Sequence, residues 1–74
     1  MTIEARSLTS LTNVRVVVRQ PSEAELGQDA VVVGSDGDWH TWTVTTSPLS
    51  EVGTHTIVFS ADGDVEVAAT FESV

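Results

Sequence analysis

The sequence predicts an all-β domain, a small antiparallel β-sandwich of about five to seven strands, and three observations carry that expectation. Short runs rich in Val, Thr and Trp alternate apolar and polar residues with a period of two, as half-buried strands do. Turn-forming Pro, Gly and Asp stand between those runs, and no segment has the apolar spacing of an amphipathic helix. The third observation is an echo. Val31-Val32-Val33-Gly34-Ser35-Asp36-Gly37-Asp38 returns in kind as Ile57-Val58-Phe59-Ser60-Ala61-Asp62-Gly63-Asp64, and each copy leads into another alternating run. The two copies read as two hairpins of one fold.

A chain of 74 residues makes one domain with a thin core, because folding at this size buries only about 60% of the unfolded surface. There is no cysteine, so no disulfide framework, thiolate metal site or thiol nucleophile is available. Three basic residues, all arginine, stand against eleven acidic ones, for a net charge of -8. That balance excludes nucleic acid and anionic membrane as natural partners, since both demand a basic footprint, and it favours basic protein surfaces. The N-terminal residues lack the continuous apolar stretch of a secretory signal, and no apolar run is long enough to span a membrane. The expected place of synthesis is therefore the cytoplasm.

In chain order, residues 1–12 carry Ile3, Leu8 and Leu11 among Ser and Thr without a sustained period. They read as an edge strand, as an arm that docks on a neighbour, or as a disordered end. The sandwich is expected over residues 13–74. It opens with Asn13 to Arg19, where Val14, Val16 and Val18 face inward and Arg15 and Arg19 face solvent. Gln20-Pro21-Ser22 stops this strand, because proline removes a ladder donor. Ser22 to Gly27 resembles a single helical turn with Ser22 as its cap and Gly27 as its stop. A short strand follows over Asp29 to Val33, and Gly34 to Asp38 turn the chain around a central Asp-Gly pair.

Parity decides the next strand, Trp39 to Thr46. His40, Trp42, Val44 and Thr46 share one face, while Trp39, Thr41, Thr43 and Thr45 share the other. The second set is otherwise all threonine, so Trp42 and Val44 belong to the core and Trp39 is partly exposed. Ser47 to Gly53 form a connection between sheets with Leu49 tucked beneath it. The last hairpin pairs Thr54 to Ser60, with His55, Ile57 and Phe59 on one face, with Val65 to Ser73, where Val65, Val67, Ala69 and Phe71 face in. Strand reversal at each connection puts both Asp-Gly-Asp turns at the same, acidic end.

Three chemistries can be weighed against these residues. Asp36, Asp38, Asp62 and Asp64 supply hard oxygens suited to calcium, but they lack the EF-hand spacing, and Asp-Gly is the ordinary hairpin pair for conformational reasons. An exposed Trp39, with His40 and a threonine row, could stack on a sugar face. Tryptophan is also a frequent anchor of protein contacts. His40 and His55 offer a base and a partner without an accompanying nucleophile, so the expectation is no enzyme and no cofactor.

From Asn13 onward the order of features resembles the small immunoglobulin-like domains of tailed-phage virion proteins and bacterial surface repeats. The residues that carry the resemblance are Val14-Arg15-Val16-Val17-Val18-Arg19-Gln20-Pro21, Asp36-Gly37, Trp39 to Val44, and Gly53-Thr54-His55-Thr56-Ile57-Val58-Phe59. It implies an immunoglobulin-like sandwich and a non-enzymatic structural role in a virion, as a capsid decoration, neck or tail protein made in the host cytoplasm. Other virion proteins in a symmetric assembly would be its partners, met through Ile3, Arg6, Leu8 and Trp39. The alternative is a module that binds carbohydrate or cell surfaces.

Overall fold

β-Branched residues are frequent in the alternating runs, and 69% of the chain is strand. The computed structural model describes all residues from Met1 to Val74 as six strands: β1 (Thr2–Ser7), β2 (Val14–Arg19), β3 (Glu25–Asp36), β4 (Trp39–Thr46), β5 (Gly53–Ala61) and β6 (Asp64–Ser73). Every pairing is antiparallel, and the strands join one sheet in the order β1-β4-β3-β2-β5-β6. The sheet curls into a half-barrel with one face inward. The expected all-β, antiparallel character is borne out, with six strands. β2, β3 and β4 form a meander, and long connections lay β1 beside β4 and β5 beside β2, a Greek-key arrangement on both sides.

The inward face is the one that parity selects. Val16, Trp42, Val44 and Phe59 form the core cluster, with Ile3, Ala5, Leu11, Val14, Val31 and Ile57 packed partly buried against it. Trp42 meets Phe59 at 5.9 Å between ring centres, a tilted contact joining the two halves of the curl. Only nine residues are buried, so the core is as thin as chain length requires.

β3 is the element that makes the curl. Its first residues pair with β2, from Glu25 opposite Arg19 to Gly27 opposite Val17. From Gln28 onward it pairs with β4 instead, with a register shift between Gln28 and Ala30. An extra residue there bends the strand and lets one element serve both halves of the sheet. β3 is thus much longer than the strand expected over Asp29 to Val33.

The expected helical turn at Ser22 is not formed. The Glu23 amide bonds the Gln20 carbonyl at 2.8 Å, the Gln20 amide bonds the Ala24 carbonyl at 2.9 Å, and Glu23 takes a φ of 71°. This is a three-residue hairpin loop with a left-handed final residue, and β3 begins directly after it. Acidic residues and a serine cap suit such a turn as well as they suit a helix start.

The two Asp-Gly-Asp sequences close their hairpins differently. Ala61 pairs with Asp64, leaving Asp62 and Gly63 central, both at positive φ, as in a type I′ turn. Asp36 pairs with Trp39, so Gly37 and Asp38 are central and only Gly37 has positive φ, as in type II′. The expected central Asp-Gly pair therefore holds for the second hairpin alone. A further shift between Phe59 and Ser60 sets Val67 opposite Phe59 but Val65 opposite Ser60. Glu66 is the extra residue, and Val65 turns to the outer face, 63% exposed, instead of facing in. Val67 and Ala69 keep the inward face but lie uncovered at the edge.

The crossing from β4 to β5 is held by polar contacts. Buried Gln20 donates to Ser50 Oγ at 3.1 Å and accepts from the Ser50 amide at 3.0 Å. Glu51 takes the Ser22 amide at 2.9 Å and the Ser22 hydroxyl at 2.6 Å. Gly53, at a φ of 123°, passes so close to Pro21 that a Cβ would sit 3.2 Å from the proline ring. Each contact ties the crossover to the β2–β3 turn.

Candidate functional site

The open side of the curl lies between β1 and β6, the two strands at the ends of the sheet order. β1 bonds only β4, and β6 bonds only β5. Between them runs a groove of about 400 Å³. Ile3 to Ser7 of β1 form one wall, and Glu66, Val67 and Ala69 of β6 form the other. Leu11, Val16, Ile57 and Phe59 make an apolar floor. Ile3 and Arg6, both expected to contact a partner, lie in this wall.

Arg6 is held at its place by acids. Its Nε lies 2.7 Å from Glu4 and its Nη1 lies 3.3 Å from Asp36. The hydrogen bond to Glu4, with that carboxylate's charge, raises the guanidinium above its ordinary value. The other expected contact residues sit at the rim. Ser7 pairs with His40, so Leu8 leaves the sheet beside the start of β4, where Trp39 stands on the outer face. Leu8 is 64% exposed and Trp39 is 42% exposed.

The antiparallel order brings both Asp-Gly turns to one end, since β3 and β5 each run antiparallel to β2. The four aspartates nevertheless form no group able to hold a metal ion. Asp36 is committed to Arg6. Asp62 accepts from Thr12 Oγ1 at 2.6 Å and Asn13 Nδ2 at 2.7 Å, and these bonds hold its carboxyl below the usual range. Their work is to fasten the β1–β2 loop to the β5–β6 turn.

The histidines are far apart in the strand pattern. His40, second in β4 at the turn end, tilts against Trp42 at 6.4 Å, on the face opposite Trp39. It therefore does not join Trp39 in one sugar-stacking platform. His55 lies near the start of β5, fully buried, stacked on Phe71 at 5.1 Å with Nδ1 at 3.0 Å from the Gly53 carbonyl. Its Nε2 is buried without a partner.

The groove was hidden in the sequence because its walls come from opposite ends of the chain. Ile3 and Ala5 already alternate with Glu4 and Arg6, which signals a strand with one apolar face. Nothing local says that β6 is its neighbour across a gap. No family model, curated protein or solved structure matches this chain.

Proposed function

We propose that the chain is a non-enzymatic structural component of a phage-like virion, a capsid decoration, neck or tail protein, and that it works by protein-protein contacts. The observation that supports the fold behind this reading is the pairing order. An immunoglobulin constant-type sandwich divides its strands into A-B-E-D and C-F-G. With β1 as B, β4 as E and β3 as D, one half of the curl has the B-E-D order, and β2-β5-β6 has the order C-F-G. β3 bends from one half into the other, and strand A has no counterpart. This order supports an immunoglobulin-like reading in which β1, ahead of the residues 13–74 expected to form the sandwich, supplies strand B.

Contact surfaces are plentiful for so small a chain. Leu8, Val32, Val33, Trp39, Val52, Val65 and Val67 are large apolar side chains open to solvent, and both end strands have free edges.

Sedimentation of the purified chain, alone and co-produced with the products of adjacent genes, tests the reading. The expected result is a symmetric assembly or co-migration with a much larger particle. An isolated monomer whose Trp39 emission shifts when glycans are added would overturn it in favour of carbohydrate binding.

A further inference from the structure

Side chains on a strand alternate between faces, yet consecutive residues Ile3 to Ser7 line one groove. They do so because β1 turns its edge, with its unpaired N–H and C=O groups, toward the gap. β6 closes the other side with an edge that is also unpaired beyond β5. The floor between them is apolar, with Val16 and Phe59 of the core at its base. An occupant must therefore offer backbone donors and acceptors along its length and an apolar side chain at every second residue. Only an extended strand meets both demands.

We propose that the β1–β6 groove is an acceptor site for an extended segment of another protein, about the length of β1, in which apolar residues alternate with Lys or Arg. The apolar residues cover Leu11, Ile57 and Phe59, and the basic ones point outward past Glu4 and Glu66. Charge selects this occupant. The chain carries a net charge of -8, Arg6 is neutralised by Glu4 and Asp36, and Glu66 forms no ion pair.

A second copy of the chain is a poor donor. Its one apolar-basic alternation, Val14 to Arg19, is β2, which is already paired with β3 and β5. Its segments between strands are anchored at both ends. The proposal deepens the protein-contact reading above and rests on it.

The test uses the full chain and a capped peptide alternating valine with lysine, matched to the six residues of β1. A peptide of the same composition with valines and lysines in separate blocks is the control. Binding is expected for the alternating peptide only, with amide hydrogen-exchange protection gained along β1 and β6. Ala69→Lys should weaken it about tenfold or more, while Val32→Lys, the same charge change on the outer face, should leave it within about twofold.

Near-UV circular dichroism checks that each variant is folded, and exchange on the unaltered chain locates the site without any variant. Equal binding of both peptides, no gain of protection, or protection at the β2–β3 junction instead would overturn the proposal. So would concentration-dependent dimerisation that protects β1 and β6 without peptide. If the peptide fails but the chain still enters a larger particle, the groove assignment falls and the virion reading stands.

Discussion

The backbone amide of Val16 donates to the side-chain carbonyl oxygen of Gln28 at 3.0 Å. β3 has left β2 at this level, so a side chain completes a ladder that the backbone has abandoned. Val16 is fully buried, and its amide has no water to turn to. Gln28→Leu keeps the bulk and removes the acceptor. It should cost about 1–3 kcal/mol in urea unfolding, the penalty of an unsatisfied buried donor, and an unchanged midpoint would show that the junction is held by packing alone.

The Ser22–Glu51 clasp makes stability depend on acid. Both Ser22 hydrogen bonds lower the Glu51 carboxyl from its ordinary 4.5, the hydroxyl more than the amide. A folded value below the unfolded one means the contribution is complete above pH 4.5 and is lost as pH falls through the lower folded value. Asp62 behaves alike from its ordinary 3.8, through Thr12 and then Asn13. Melting midpoints should fall as pH drops below 4.5, and Glu51→Gln should flatten the fall. Parallel curves for the two proteins would refute the assignment to Glu51.

Glu23 adopts a left-handed backbone that Asn13 and Asp62 tolerate better, since short polar side chains bond locally there. Its side chain makes no hydrogen bond that would offset the strain. Glu23→Gly should raise stability by about 0.5–1 kcal/mol, the relief of the left-handed conformation less the entropy that glycine adds to the unfolded chain. The urea midpoint should rise at constant slope.

The two tryptophans offer separate optical reports. Trp42 is 4% exposed and packed on Phe59, whereas Trp39 stands at the outer rim. Trp39→Ser should leave the fold intact and remove the red-shifted, iodide-quenchable emission. Trp42→Ala should cost about 3–5 kcal/mol, a large share of the stability of a domain this size. Equal quenching of both single-tryptophan forms would contradict the facing of β4.

Strand facing was legible where alternation is uninterrupted, as at Val14, Val16 and Val18 or at Trp42 and Val44. The rest depended on single inserted residues. Glu66 reverses Val65 without any change of composition, because a bulge shifts the phase of a strand that otherwise alternates faithfully. Leu26-Gly27-Gln28-Asp29 has no apolar period, so the sequence marks a turn where β3 in fact changes partners. Asp36-Gly37-Asp38 and Asp62-Gly63-Asp64 share letters but not turn type, since pairing of the flanking strands chooses which two residues are central. Ile3 and Arg6 were expected to meet a partner, but the groove they line needs the pairing of β1 with β4, which no local pattern encodes.

The Greek-key placement of β1 has a consequence for the growing polypeptide. Thr2 pairs with Thr45, and the Met1 carbonyl takes the Thr46 amide at 2.9 Å. During synthesis β1 therefore leaves the ribosome long before its only ladder partner exists. The β2–β3 and β3–β4 hairpins close from nearby residues, while β1, like β2 in its pairing with β5, waits for a long-range closure that costs more entropy. Until β4 emerges, β1 is a strand still searching for its place.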